Sequence, residues 1–125
     1  MSVEQFLKLM VSSRLSNKQE ADEILARYRE QSGEVNTPDN VEAFCKFLIT
    51  TNLVTDWQCS KLRAGKWKGF YLGNYLLLDQ IGKDEQFAYF RARDTRDGKL
   101  VRMTITPINR TKGPDIEYRV ERYIE

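Results

Sequence analysis

Apolar residues in the first half of the chain recur three and four positions apart. Val3, Phe6, Leu7, Met10 and Val11 share one face of a helix at that spacing, and Ala21, Ile24, Leu25 and Tyr28 share one face of a second. "NTPDNVEAF" predicts the start of a third helix, with Thr37 as its cap and Pro38 in its first turn, burying Val41, Phe44, Cys45, Leu48 and Ile49. A fourth, capped by Thr55, begins near "VTDWQ" and stops by Gly65.

"FLKLMVSSRLSNKQEADEIL" aligns without gaps on "FCKFLITTNLVTDWQCSKLR", so residues 6–25 and 44–63 form a repeat with a period of 38 residues. Phe6 matches Phe44, Lys8 matches Lys46, Leu15 matches Leu53, and Ser12-Ser13 match Thr50-Thr51. Each copy reads as a helical hairpin. One hairpin cannot bury both its apolar faces, so two copies packed as a four-helix domain over residues 1–65 are the economical arrangement.

Beyond Gly65 the period changes. "YLLLDQI", "FAYFRA" and "KLVRMTIT" are short and rich in β-branched or aromatic residues, and Asp97-Gly98 in "DTRDGK" is a strong hairpin signal. They predict three antiparallel strands near residues 74–82, 87–94 and 99–106, the last ended by Pro107. A C-terminal helix from about Pro114 would bury Ile116, Val120 and Ile124. The expected class is α+β, a duplicated helical hairpin followed by a small three-stranded antiparallel sheet and that helix. Residues 66–73 join the halves, and Trp67, Phe70 and Tyr71 are expected to be buried between them, so that Trp67→Ala would cost about 3 kcal/mol or more. With Trp57, the same three are the aromatic candidates for a partner interface.

Composition narrows the chemistry. Twenty basic and eighteen acidic residues leave a net charge of +2, which argues against nucleic acid or membrane as a dominant partner. The chain has no histidine, which excludes a histidine-dependent triad and a typical catalytic zinc site; no metal is expected. Cys45 and Cys59 fall in apolar helical patterns and read as buried thiols in a reducing compartment. No run approaches a membrane span and "MSVEQF" lacks the form of a signal peptide, so a cytoplasmic location is expected.

"LRAGKWKGFYLGNYLLLDQIG" resembles the lead-in to the catalytic domain of bacterial serine/threonine protein kinases of the eukaryotic type. The matching positions are Leu53, Thr55, Trp57 and Gln58, then Gly65, Lys66, Gly69, Phe70, Leu72, Gly73, Tyr75, Leu77, Leu78 and Gly82, and the likeness is strongest over residues 44–106. It implies a kinase N-lobe start over residues 74–125, with a glycine-rich loop between the first two strands. In a working kinase that loop lets backbone amides close over the ATP phosphates, and a lysine on the third strand pairs with them. Here Gly82 holds the first glycine place, while Asp84 and Phe87 stand at the second and third and Tyr89 at the valine above the adenine. The third strand has Arg102 for the small residue of the adenine floor and Thr104 for the lysine.

With these substitutions the resemblance implies a vestigial nucleotide site and no bound cofactor. The function expected is that of a non-catalytic interaction or regulatory segment of a kinase-like protein, a pseudokinase-type signalling module whose partner is another protein or the rest of a longer kinase-like chain. Two alternatives stand beside it: an independent structural or adaptor module, and a fragment of a larger kinase that keeps an atypical ATP site. The chain itself is not expected to be an enzyme, because the catalytic-loop and metal-binding motifs are absent from it. "EYRVERYIE" ends inside the expected helix, as it would in a piece of a longer chain.

Overall fold

Two helical hairpins and a five-stranded sheet make up the chain in a computed structural model that describes residues 1–32, 40–106 and 118–122. The hairpins lie in one compact unit, up to Gly69, and the sheet in a second that begins at Phe70. The unit boundary thus falls inside the segment expected to act as a linker.

In the first unit, α1 (Val3–Ser12) and α2 (Lys18–Ser32) are followed by α3 (Val41–Thr50) and α4 (Asp56–Arg63). Each helix of the second hairpin starts 38 residues after its counterpart, Val41 after Val3 and Asp56 after Lys18. The repeat extends to single bonds. Asn17 Oδ1 accepts the Glu20 N–H at 2.7 Å and Glu20 returns a bond to the Asn17 N–H; Thr55 and Gln58 form the same capping box one period later. Ser13 Oγ donates to the Met10 carbonyl as Thr51 Oγ1 does to that of Leu48. Both hairpin turns place a side-chain-bearing residue in the left-handed region, Arg14 at φ 68° and Asn52 at φ 61°. The expected cap Thr37 and Pro38 lie outside the described residues, and Asn40 caps α3, accepting the Ala43 N–H.

The matched phenylalanines meet in the core. Phe6 and Phe44 are fully buried and pack edge to face with ring centres 6.0 Å apart, and Tyr28 meets Phe44 at 5.0 Å. Met10, Leu48 and Leu62 complete the apolar centre, and both cysteines are buried and unbridged.

The sheet corrects the sequence reading in number and in kind. It has five antiparallel strands in sequential order: β1 (Tyr71–Leu72), β2 (Tyr75–Lys83), β3 (Ala88–Asp94), β4 (Leu100–Ile105) and β5 (Tyr118–Arg122). β1 was hidden in the expected linker; Gly73 at φ 56° and Asn74 turn the chain so that Leu72 pairs with Tyr75. β5 takes the place of residues 118–122 of the expected C-terminal helix, since Tyr118 pairs with Ile105 and Val120 with Met103. Positions four apart share a face in a helix and in a strand alike, so Ile116, Val120 and Ile124 could not separate the two; Tyr118, on the same alternation, favours the strand. Pro107, Pro114, Ile116 and Ile124 lie outside the described residues. Leu77, Ala92, Val101, Met103 and Ile105 form the buried face, and two bulges in β2 bend the sheet.

Candidate functional site

The hairpin between β2 and β3 carries the positions that the kinase resemblance assigns to a nucleotide. Its tip is organised by one carboxylate. Asp84 Oδ1 accepts the backbone N–H groups of Gln86 at 2.8 Å and Phe87 at 2.7 Å, while Oδ2 accepts the Tyr89 hydroxyl at 2.6 Å. Short polar side chains cap turns in this way, satisfying amides that the turn leaves without a strand partner. The bond from Tyr89 and the two amides hold the Asp84 carboxyl below its ordinary pKa, and the same bond to Asp84 raises the Tyr89 phenol.

Strand alternation then gathers the remaining positions on the face opposite the core. Tyr89 pairs across to Gly82 on one side and Thr104 on the other, and its ring passes within van der Waals reach of where a Gly82 side chain would begin. The Arg102 guanidinium lies 5.5 Å from the Tyr89 ring centre. Phe87, Tyr89, Arg102 and Thr104 line one cavity of about 500 Å³, to which β5 adds Arg119 and Glu121. Gly82 and Asp84 stand beside it through their contacts with Tyr89. Sequence reasoning missed Arg119 and expected Glu121 on a helix, as one candidate with Glu117 and Glu125 for the glutamate that partners the kinase lysine; the alternation of Tyr118 and Val120 was the available signal for a strand.

Two other carboxylates of the sheet have defined charged partners. Asp79 pairs with Arg91 across β2 and β3. Asp94, fully buried, accepts from the side chains of Arg96 and Arg122 and from the Arg96 N–H, which together hold its carboxyl far below the usual range. Arg122 also reaches Asp97 at 2.9 Å, so this network ties β5 to the β3–β4 turn.

The four interface candidates are scattered in their settings. Trp67, expected to be buried, is 37% exposed with the Lys68 ammonium 5.0 Å from its ring centre. Lys68 and the neighbouring glycines leave its ring on the surface of a short polar stretch. Trp57 is half-buried on α4 with Lys61 over its ring, Phe70 is buried at the start of the second unit, and Tyr71 is half-buried in β1. A larger cavity, about 850 Å³, lies between α1 and α2 and holds none of the predicted site residues. Its rim mixes Glu4, Lys8, Asp22 and Arg29 over an apolar floor.

Among the described residues no group of histidine, cysteine, aspartate or glutamate side chains is arranged to hold a metal, and no helix is long and apolar enough to cross a membrane. Cys45 and Cys59 share a hydrogen bond that raises the Cys59 thiol, already disfavoured as a thiolate by burial. Models of known protein families, curated proteins and solved structures were each compared with the chain, and none matches it.

Proposed function

We propose that the chain is a non-catalytic interaction or regulatory segment of a cytoplasmic serine/threonine kinase-like protein, with a nucleotide loop that satisfies itself. The observation that carries this reading is the Asp84 carboxylate seated on the Gln86 and Phe87 amides. In a phosphate-binding loop such amides point at the ligand's oxygens and a cation offsets the ligand's charge. Here the loop supplies its own anion. A phosphate would have to displace the carboxylate and then lie beside it, and Thr104 offers no compensating charge. Tyr89 and Arg102, at the positions that the resemblance assigns to the roof and floor of the adenine, lie against each other.

The test is titration of the chain with Mg-ATP, followed by backbone amide NMR and by thermal melting. No shift and no change in melting temperature are expected at millimolar nucleotide, and no phosphate should be transferred to the chain or to generic substrates. Saturable shifts confined to Gly82–Tyr89 and Val101–Thr104, with a sub-millimolar midpoint, would favour a nucleotide sensor instead.

A further inference from the structure

β5 ends one side of the sheet, and among the described residues no strand pairs with its outer edge. The opposite edge strand, β1, is two residues long and leaves little backbone open, whereas β5 has five residues whose alternate N–H and C=O groups point away from β4. Tyr118, Val120 and Arg122 stand opposite the buried Ile105, Met103 and Val101, while Arg119 and Glu121 stand opposite Thr104 and Arg102 on the other face. The order Tyr-Arg-Val-Glu-Arg is complementary to its own reverse. An antiparallel copy centred on Val120 sets Arg119 opposite the partner's Glu121 and Glu121 opposite the partner's Arg119, with Val120 on the partner's Val120 and Tyr118 on the partner's Arg122. A slip by one residue turns the buried face of one copy to the polar face of the other. A slip by two sets Arg119 on the partner's Arg119, or Glu121 on the partner's Glu121, like charges directly opposite. One register therefore satisfies both faces.

We infer that the outer edge of β5 is an interface with a second copy of this chain, the two β5 strands pairing antiparallel about a two-fold axis at Val120 so that two sheets join into one. Each copy covers the other's half-buried Val120 and its Tyr118, which is 42% exposed. Glu121 then lies between Arg102 of its own chain and the partner's Arg119, and Arg119, whose own-chain neighbour Thr104 is uncharged, gains a carboxylate. A strand of one sign would be attracted at one of these positions and repelled at the next. The fit is to a strand that carries both charges in reverse order, which is a second β5. Five residues bury little area, so the dimer is weak and its population follows concentration. The pairing uses no residue of the β2–β3 hairpin, so it is independent of whether that hairpin takes a nucleotide.

Sedimentation velocity and backbone amide NMR of the full chain, over a concentration series reaching the millimolar range, test this. The mass is expected to rise toward twice that of the monomer, with concentration-dependent shifts at Tyr118–Arg122. Arg119→Glu sets a carboxylate against the partner's Glu121 twice, by symmetry, and should weaken association by roughly tenfold. Because Arg119 faces Thr104 within its own chain, that variant should keep the parent's β5 signals when dilute. Glu121→Arg should weaken association in the same way, and a one-to-one mixture of the two variants should recover it, since each meets its opposite charge on the other. A chain that stays monomeric at millimolar concentration would overturn the inference, as would an Arg119→Glu variant that associates like the parent or shifts confined to α1 and α2. So would a mixture that stays monomeric while both variants keep their β5 signals.

Discussion

Asp84 and Tyr89 share one short hydrogen bond, and each changes the other's titration. The lowered Asp84 carboxyl contributes stability that is fully present above the ordinary carboxylate range and is lost as pH falls through its folded value. The raised Tyr89 phenol contributes stability that is fully present below the ordinary phenol value and is lost as pH rises through its folded one. The hairpin tip should therefore be firmest between those limits. In Asp84→Asn the Tyr89 phenol is expected to fall back toward about 10, and the Gln86 and Phe87 amides to exchange faster. Titration of the Tyr89 ring carbon by NMR measures this, and an unmoved midpoint would mean that the bond is absent in solution. The residue types at this site were legible in the sequence, but their bonding was not. Asp84 was read as the residue at the second glycine place, and its capture of two amides depends on a turn geometry that the letters do not specify.

Among the elements, the hairpins were the most legible, because a three-and-four spacing repeated at a fixed period constrains both copies at once. Their turns supply a test. Arg14 and Asn52 occupy the same left-handed turn position, where a side chain crowds the following carbonyl and asparagine is tolerated better than arginine. Arg14→Gly is expected to stabilise the chain by about 1 kcal/mol, and Asn52→Gly by clearly less. Urea unfolding of the two variants decides it; a loss at Arg14→Gly would show that the arginine side chain contributes more than its backbone costs. The strands were legible where a turn signal stood between them, as at Asp97-Gly98. β1 was missed although Gly73-Asn74 is such a signal, because two residues on its outer side are too few to show a period. β5 was misread because its apolar spacing of four fits both periods.

The whole molecule divides into two units, each with its own core, so the cost of a core substitution should be felt first where it is made. Phe44→Ala is expected to cost about 3–5 kcal/mol and to speed amide exchange in α1 to α4 before the sheet. Met103→Ala should cost about 2–5 kcal/mol and act first on β2 to β5. Trp67→Ala, at an exposed position, should stay within about 0.5 kcal/mol, not the 3 kcal/mol expected of a buried linker ring. Hydrogen exchange with mass spectrometry reads all three. Exchange that rises uniformly over both units in either core variant would show that they unfold as one.

The sequence by itself determined what depends on near neighbours. The α1 to α4 hairpins follow from local spacing and caps, the β3–β4 turn follows from Asp97-Gly98, and burial of Phe6 and Phe44 follows from their places in those periods. Tertiary structure alone decided what depends on distant pairing. A strand needs a partner to satisfy its backbone, so Tyr118–Arg122 became β5 only because the edge of β4 was there to receive it. That same pairing brought Arg119 onto the face of Arg102 and Thr104, joining a segment read as helix to positions read as a nucleotide pocket. Cross-strand register, which no local pattern encodes, is the reason the site has a side built by β5 that the sequence did not reveal.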